Sequence, residues 1–320
     1  LSLIREGEKM NVFNIERGSK SQSMVNIPDY DGFLPVTVVR GRYDGPNVLI
    51  SAGIHNQEYV GIETANRLAA ELDPSEIKGC VCIIHVCNPT GFFSFSPDIV
   101  PEDGKNLNRV FPGKKFGSAS ERLADFLTEE FLSGASCFLD LHCGGCREEL
   151  APHVYYQGMG DRFLENASKR MAKLVEADYM VRADIDTGSL FSHAAKMGIP
   201  GVLIERGGMA LWSEEAVEKY LTDVKRILRV LDVLPYDVPQ EKTPLLIEHV
   251  DFFCAQEDGC WYPAASAGTI IEKGKPLGSI RDFFGKELSC PIAKTDCVIL
   301  YQVGSLAVIR DDFLVVCGVL

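Results

Sequence analysis

The sequence predicts an α/β protein with a doubly wound, mostly parallel or mixed sheet, followed by a small, barrel-like all-β domain. From Asn47 to about Val233, short apolar runs alternate with segments of helical period. Buried aliphatic runs separated by helices are typical of a sheet covered on both faces. From Leu245 to Leu320 the helical period disappears, and short strand-like runs alternate with Gly and Pro turn signals. This second pattern is typical of a small β domain.

The elements of the α/β part follow from these periods. The predicted strands are NVLISAG, VCIIHVCN, CFLDLHC and GVLIERGG, and the predicted helices lie at about 57–72, 118–133, 161–176 and 213–233. The first 45 residues are interpreted as strands and turns that lead into the main sheet. The Pro-rich segment around 235–244 is the natural boundary, which divides the chain into an α/β domain over 1–240 and a β domain over 241–320.

The composition argues against nucleic acids and membranes as partners. The 320 residues include 45 acidic and 32 basic ones, a net charge of −13, and no cluster of Lys and Arg. We therefore expect neither a nucleic-acid nor a membrane partner, and no apolar run approaches the roughly 18 residues of a membrane span. The first ten residues, LSLIREGEKM, carry charges where an export signal would be apolar. Eleven cysteines, mostly within apolar runs, favour a reduced, cytoplasmic protein.

Polar residues follow the apolar runs at the predicted strand ends, where ligands bind in open α/β sheets. His55 and Glu58 form an H-x-x-E at the first strand-to-helix turn, and His142 ends another run two residues after Asp140, on the same side of that strand. Glu205 ends a third run, before two glycines. Each has an ordinary alternative: a plain turn for the first pair, a core histidine for His142, and a structural salt bridge for Glu205.

Taken together, these residues predict a metal site. Two histidines and a Glu are the ligand set of a catalytic zinc site that keeps one position open for water. A further carboxylate that does not bind the metal can take a proton from that water. The segment KNLNRVFPG adds Asn108 and Arg109, which offer amide donors and a bidentate guanidinium to a substrate carboxylate. The alternative for Arg109 is an ion pair with an Asp on a loop.

These motifs carry a family resemblance. The order G-x-H-x-x-E, N-L-N-R-x-F-P-G, D-L-H and I-E-x-G-G resembles the succinylglutamate desuccinylase/aspartoacylase family, which are zinc carboxypeptidase-like hydrolases. The resemblance covers nearly the whole chain. It implies a fold of the zinc carboxypeptidase type, one zinc ion per chain with His55, Glu58 and His142 as its ligands, and Glu205 as the general base. Asn108 and Arg109 match the family's clamp for the substrate carboxylate.

The activity that the resemblance implies is hydrolysis of the amide bond in a small N-acyl amino acid, by a water molecule that the zinc ion activates. Two alternatives stay open: a metallocarboxypeptidase that acts on a small peptide, and a non-catalytic descendant that binds a metal or ligand. Retention of Glu205 argues against the second, because metal binding alone has no use for a base. The predicted partner is a small molecule with a carboxylate, and the β domain is expected to act as a cap or as a contact in a homo-oligomer.

The chain departs from the family pattern in three places. Asn56-Gln57 stands where Gly-Asp is usual in the first motif, and Cys143 stands beside His142 where a Thr is usual. More seriously, the segment before the N-L-N-R motif lacks an Arg that in many members helps to polarise the carbonyl. Lys105 and Arg147 are candidates to replace it. Because Cys143 is adjacent in sequence to a predicted ligand, its thiol is a candidate to perturb or join the metal site.

Overall fold

The computed structural model describes residues 11–30, 32–96, 98–235 and 241–320. The expectation that no export signal is present rests on residues 1–10, which lie outside the described residues. Most of the predicted interdomain segment, at 236–240, lies outside them as well. In the part of the chain that is described, no helix has both the length and the apolar character needed to cross a membrane.

Twelve strands and six helices precede the C-terminal region. The strands are β1 Ser19–Asn26, β2 Phe33–Arg40, β3 Tyr43–Ala52, β4 Lys78–Ile84, β5 Ile99–Val100, β6 Lys105–Asn106, β7 Cys137–His142, β8 Glu148–Leu150, β9 His153–Gln157, β10 Tyr179–Ala183, β11 Gly201–Glu205 and β12 Leu245–Ile247. The helices are α1 Tyr59–Glu71, α2 Pro89–Phe93, α3 Ala119–Phe126, α4 Arg162–Ala172, α5 Leu190–Lys196 and α6 Glu214–Val230.

Nine of these strands form one mixed sheet in the order β1-β2-β4-β3-β7-β11-β9-β10-β12. The central strands β4, β3, β7 and β11 run parallel to one another. β9 is antiparallel to β11 and parallel to β10, and β2 is antiparallel to both of its neighbours. The carboxyl ends of β3, β7 and β11 therefore lie side by side at one edge of the sheet.

Helices cover both faces of the sheet. One hydrophobic cluster joins it to α1, α4 and α6, and a second cluster joins the opposite face to α3 and α5. The strand segment Val48–Ala52 is almost completely buried, as expected for a strand that is covered on both sides. This arrangement confirms the predicted doubly wound α/β fold.

The C-terminal region is all-β, as predicted. Its strands are β13 Val250–Cys254, β14 Gly259–Pro263, β15 Ile270–Ile271, β16 Gly278–Arg281, β17 Glu287–Ser289, β18 Cys297–Val303, β19 Ala307–Val308 and β20 Phe313–Val319. They form one sheet in the order β13-β20-β18-β15 and another in the order β17-β16-β14-β19. A core that includes the fully buried Trp261 lies in this region.

Two strands connect the α/β part of the chain with the C-terminal β region. β12, which follows residue 240, adds the last strand to the nine-stranded sheet by pairing with β10. β8 lies well before residue 240 in the chain, and it pairs with β18 of the C-terminal region. The division of the chain at residue 240 stays a prediction, and these pairings show that the two parts exchange strands across it.

The helix expected over 118–133 is less regular than its periodicity indicates. It continues from α3 into a π-helical turn over Leu127–Phe131 and a 3-10 turn over Leu132–Gly134. β9, β10 and α5 were not among the predicted elements. Elsewhere, α1, α4 and α6 lie within the predicted helical segments.

Candidate metal centre and active site

The carboxyl ends of three parallel strands bring the polar residues together. His142 and Glu205 end β7 and β11 and are directly paired in the register of the sheet. His55 lies in the turn after β3, and Glu58 immediately precedes α1. Gly53 makes that turn possible: it has φ of +61°, and a Cβ there would lie 3.2 Å from the Val86 Cα. A larger residue would be strained in this backbone conformation.

Three side chains form a compact cluster of metal-ligand type. The Nδ1 atom of His55 lies 2.6 Å from Oε1 of Glu58, and Nδ1 of His142 lies 3.0 Å from Oε2 of the same carboxylate. One ligand atom from each of the three residues lies within 4.8 Å of the others. Both His142 and Glu58 are only 2% exposed, so the cluster is inside the protein rather than on its surface.

A second layer of polar groups supports His142. The Ser51 hydroxyl donates to Oδ1 of Asp140 over 2.6 Å, and Oδ2 of Asp140 lies 3.1 Å from Nε2 of His142. That last pair is within ion-pair distance but is not aligned as a hydrogen bond. From α6, the Tyr220 hydroxyl lies within hydrogen-bonding distance of the carbonyl oxygens of His142 and Ile204, at 3.1 and 2.6 Å. It thereby connects the ends of β7 and β11.

The sequence patterns did not indicate the roles of Ser51 and Tyr220. Ser51 could have been found, because it occupies the position on β3 that pairs directly with Asp140 on β7. Tyr220 gives no such signal: it is one apolar-face residue among several on α6. Only the packing of that helix against the sheet shows where its hydroxyl goes.

Burial and neighbouring charges shift the pKa values of Glu58, His142 and Glu205. Burial alone would raise the pKa of Glu58, but the charges and hydrogen bonds of His142 and His55 lower it to about 2. Burial would lower the pKa of His142, yet Glu58 and Asp140 raise it. For Glu205, burial raises the pKa, and the surrounding carboxylates raise it further against the opposing charge of His142.

The donor set fits a zinc ion. Two imidazoles and one carboxylate are ligands that zinc prefers at catalytic sites; here Glu58 and His142 are buried and His55 is half-buried. Nε2 of His55 and Oε2 of Glu205 are buried without a hydrogen-bond partner among the described residues, which is unusual for buried polar atoms. A cation in this cluster would offset the negative charges of Glu58 and Glu205.

The predicted carboxylate clamp lies on a 3-10 turn over Leu107–Arg109. Asn108 is buried, and its Oδ1 atom accepts the backbone N–H of Leu190 over 3.0 Å, so its amide NH₂ is the group that can donate to a ligand. The Arg109 side chain is exposed, with Nη1 donating to the Asn108 carbonyl over 2.7 Å. Its charge interacts with the carboxylates of Asp98 and Glu148, two residues that the sequence did not single out.

Neither candidate for the missing Arg is free. Nζ of Lys105 donates to the Ser118 hydroxyl over 3.0 Å and lies 3.5 Å from Glu121. The Arg147 guanidinium is held by the C-terminal region, including a 2.8 Å contact to Asp312. Both cations therefore have partners outside the metal-ligand cluster.

Cys143 also lies outside that group of ligands. The residue is 1% exposed, and its thiol interacts with the backbone N–H groups of Val60 and Gly61 at the start of α1. Burial raises its pKa well above the usual value, so the group is a neutral thiol. Among the described residues, the cluster that could hold a metal consists of His55, Glu58 and His142.

Residues 44–231 match the model of the succinylglutamate desuccinylase/aspartoacylase catalytic domain. The chain belongs to this family. The resemblance seen in the sequence motifs is thereby confirmed, and the matched segment contains all of the residues of the candidate site.

Relatives of known name support the same family. The chain is 33% identical over 177 residues to the N-alpha-acetyl-L-2,4-diaminobutyric acid deacetylase of Halomonas elongata, covering 55% of this chain and 51% of the relative. It is 28% identical over 158 residues to the succinylglutamate desuccinylase of Pseudomonas paraeruginosa, covering 46% of this chain and 45% of the relative. The chain thus spans about half the length of the curated relatives it matches.

Solved structures share the whole fold. The product-bound ectoine utilization protein EutE (DoeB) of Ruegeria pomeroyi superposes with a TM-score of 0.87 at 22% identity, covering 95% of this chain and 97% of that one. A succinylglutamate desuccinylase/aspartoacylase of Rhodobacter sphaeroides superposes with a TM-score of 0.82 at 22% identity, with the same coverage. At this identity the likeness shows the fold alone, including the C-terminal β region.

Proposed function

We propose that this protein is a zinc-dependent deacylase that hydrolyses the amide bond of a small N-acyl amino acid. Family membership and the two deacylating relatives support an amidohydrolase. The observation that carries the proposal is the compact cluster of His55, Glu58 and His142, with Glu205 paired beside His142 in the sheet. Metal ligands and an adjacent carboxylate that lacks a hydrogen-bond partner on one oxygen are the parts that metal-assisted hydrolysis requires.

In this proposal, His55, Glu58 and His142 hold one zinc ion. Bound zinc supplies an acidified water and polarises the acyl carbonyl. Glu205 accepts the proton of the attacking water and passes it to the departing amine nitrogen. Oε2 of Glu205 has no hydrogen-bond partner among the described residues, so this oxygen is available to take up the proton. Asp140 keeps the His142 ring in position from the opposite side.

Asn108 and Arg109 would orient the substrate. The amide NH₂ of Asn108 and the exposed guanidinium of Arg109 are the donors on the 3-10 turn, and a carboxylate can accept from both. The names of the two relatives describe removal of an acyl group from an amino-acid derivative, which is the class of substrate we propose here. All eleven cysteines are free thiols, and this supports our proposal of a reducing, cytoplasmic location.

The proposal is tested by metal content and by turnover of a Glu205→Gln variant. Wild-type protein purified without added metal should contain about one zinc per chain and should hydrolyse members of a panel of N-acetyl and N-succinyl amino acids. Glu205→Gln should retain the zinc and lose turnover by a factor of at least about 100, the usual contribution of a general base. A His142→Ala variant should lose the zinc itself.

A matched control replaces Glu63, a carboxylate of α1 that pairs with Arg67, by Gln, and this variant should keep both zinc and activity. If Glu205→Gln retained wild-type turnover, the assignment of the base would be wrong. Zinc binding without turnover of any acyl amino acid would reject the deacylase. Small peptides would then be the next substrates to assay, and a binding role would follow if these too were inert.

A further inference from the structure

The turn that carries two of the proposed zinc ligands contains a pair of residues to which the proposed function assigns no role. Asn56 and Gln57 lie between His55 and Glu58, at the positions where the chain departs from the family's Gly-Asp. The backbone of this turn is only weakly closed. Its hydrogen bond from the Glu58 N–H to the His55 carbonyl spans 3.5 Å, which is longer than an ordinary hydrogen bond. Side-chain contacts are therefore needed to hold the turn in place.

The Asn56 side chain anchors the turn to the segment between α2 and β5. It is completely buried, and its Nδ2 atom donates to the Ser96 carbonyl over 2.6 Å and to the Ile99 carbonyl over 3.1 Å. Gly91 of α2 leaves the space for this amide, because a Cβ at that position would lie 2.1 Å from the Asn56 Nδ2. The surroundings of Asn56 thus match the size and the donors of its side chain.

Gln57 anchors the same segment at a second point. Its Nε2 atom donates to the Phe95 carbonyl over 3.2 Å. Phe95 has φ of +57°, a left-handed conformation that is unfavourable for a bulky residue, so its backbone requires support from neighbouring groups. Together, the two residues between the ligands donate to three carbonyl groups of one segment.

Both amides are held through their donors alone. The Oδ1 atom of Asn56 and the Oε1 atom of Gln57 are buried without a hydrogen-bond partner among the described residues, which costs free energy. The reversed orientation of either amide would place its oxygen against the carbonyl oxygens of the segment. The contribution of these side chains is therefore the attachment of the turn to the segment.

The anchored segment also belongs to the surroundings of the metal centre. Asp98, which lies in it, interacts with the charges of His55 and Glu58. Together with Glu148, Asp98 lines an acidic cavity of about 200 Å³ between the loop after β7 and strands β18 and β20. The segment and the turn that carries the ligands therefore meet beside the metal-ligand cluster.

We propose that Asn56 and Gln57 are positioning residues that hold His55 and Glu58 in the zinc-binding arrangement before the metal is present. This inference rests on the zinc site of the proposed function. When a binding-competent conformation is only partly populated, the apparent dissociation constant rises in inverse proportion to its population. Loss of the anchors should therefore weaken zinc binding, whereas bound zinc should restore the turn and leave the loaded site intact.

Asn88 provides a matched control within the same segment. It is completely buried, and its Nδ2 atom donates to the same Ile99 carbonyl over 3.1 Å. It belongs to the start of α2 rather than to the turn that carries the ligands. A general loss of stability in this part of the protein should therefore appear in Asn88→Ala, and an effect on the ligand turn should not.

The test measures zinc affinity and turnover per bound zinc. In competition with a chromogenic chelator, the zinc dissociation constant of Asn56→Ala should rise by about 10- to 30-fold, which corresponds to two ordinary hydrogen bonds. Gln57→Ala loses one hydrogen bond at a less buried position and should raise the constant by about threefold. This second variant decides the question if Asn56→Ala does not fold. At saturating zinc, both variants should hydrolyse the best N-acyl amino acid at close to the wild-type rate.

The control separates positioning from stability. Asn88→Ala should lower the free energy of unfolding in urea and leave the zinc dissociation constant close to that of the wild type. An equal rise of this constant in Asn88→Ala and Asn56→Ala would overturn the inference, as would unchanged constants in both variants of the turn. A loss of turnover per bound zinc as large as the loss of affinity would also overturn it, because the anchors would then act on the loaded site.

Zinc affinity also separates this inference from the proposed function, because its measurement requires no catalysis. If the wild type binds zinc but hydrolyses no acyl amino acid, the deacylase is rejected and the dissociation constants still decide the inference. If the wild type is active and the variants of the turn bind zinc as tightly, the inference alone fails. A wild type that binds no zinc would reject both.

Discussion

Replacing Asp140 by Asn tests whether the layer of residues behind the ligands controls metal affinity. Asp140 is completely buried, with one oxygen accepting from the Ser51 hydroxyl at 2.6 Å and the other 3.1 Å from Nε2 of His142. The substitution preserves the size of the side chain and an oxygen for Ser51. It removes the negative charge beside the imidazole, so that His142 is held less firmly and becomes a weaker ligand.

The expected magnitude follows from that contact. Loss of an outer partner of a metal-bound His costs about 10- to 100-fold in metal affinity, and each tenfold change corresponds to about 1.4 kcal/mol. We therefore expect the zinc dissociation constant of Asp140→Asn to rise by about 10- to 100-fold, which is the usual cost of losing a residue that orients a metal-bound His.

The assay is competition for zinc with a chromogenic chelator near neutral pH. Ser51→Ala, which keeps the charge of Asp140 but removes one hydrogen bond to it, should give a smaller loss of affinity. Asp232→Asn removes a carboxylate from a surface ion pair with Lys78 and should have no effect on zinc. An unchanged dissociation constant in a folded Asp140→Asn protein would refute the reasoning, because His142 would then need no support from this carboxylate.

Three more predictions concern stability and the missing Arg. Burial lowers the pKa of His153 to about 4, so between about pH 6.5 and pH 4 the unfolded state binds more protons. The free energy of unfolding should fall by at most about 3 kcal/mol as the pH decreases through that window, and urea titrations of His153→Gln should lack this component. Tyr220→Phe removes the hydroxyl shared by the ends of β7 and β11 and should lower the free energy of unfolding by about 1–3 kcal/mol, whereas Tyr43→Phe at an exposed position should not. Lys105→Ala should leave turnover unchanged, because the Lys105 ammonium is held by Ser118 and Glu121; a large loss in kcat would show that it moves into the site on substrate binding.

The sequence was most informative where function and strand geometry coincide. His142 and Glu205 both end apolar runs, and the parallel arrangement of those runs predicts that their ends meet. The spacing of Asp140 and His142 likewise predicts a shared side of the strand, and the 3.1 Å contact between them agrees with it. These inferences need only local periodicity and the general topology of α/β sheets.

Other features depend on contacts between distant parts of the chain. β9 contains Gln157, a polar residue that lowers the apolar signal of its strand. In the structure, the Gln157 side chain is buried and its polar atoms are satisfied. Its Oε1 atom accepts the Gly201 N–H over 3.0 Å, and its Nε2 atom donates to the Phe191 carbonyl over 3.3 Å. Neither partner is near in sequence. α5 has seven residues, which is too short to establish a clear helical period.

The acidic cavity could not be predicted for the same reason. Asp98 immediately precedes β5 and Glu148 begins β8, and the cavity that both residues line exists only because β18 and β20 contribute its other wall. In the sequence, Asp98 was notable only as part of a segment that lacks an expected Arg. The structure shows that the same segment contributes a negative charge where a positive one was sought.

The pairing of β8 with β18 restricts how a substrate can reach the site. β8 follows His142 closely in the chain and forms a three-residue ladder with the C-terminal region, while Arg147 fastens the preceding loop to that region through Asp312. A hinged opening of the C-terminal region would have to break this ladder and displace the backbone next to a metal ligand. We therefore expect substrates to enter through movements of side chains and loops at the rim, a route that favours compact molecules over long polymers.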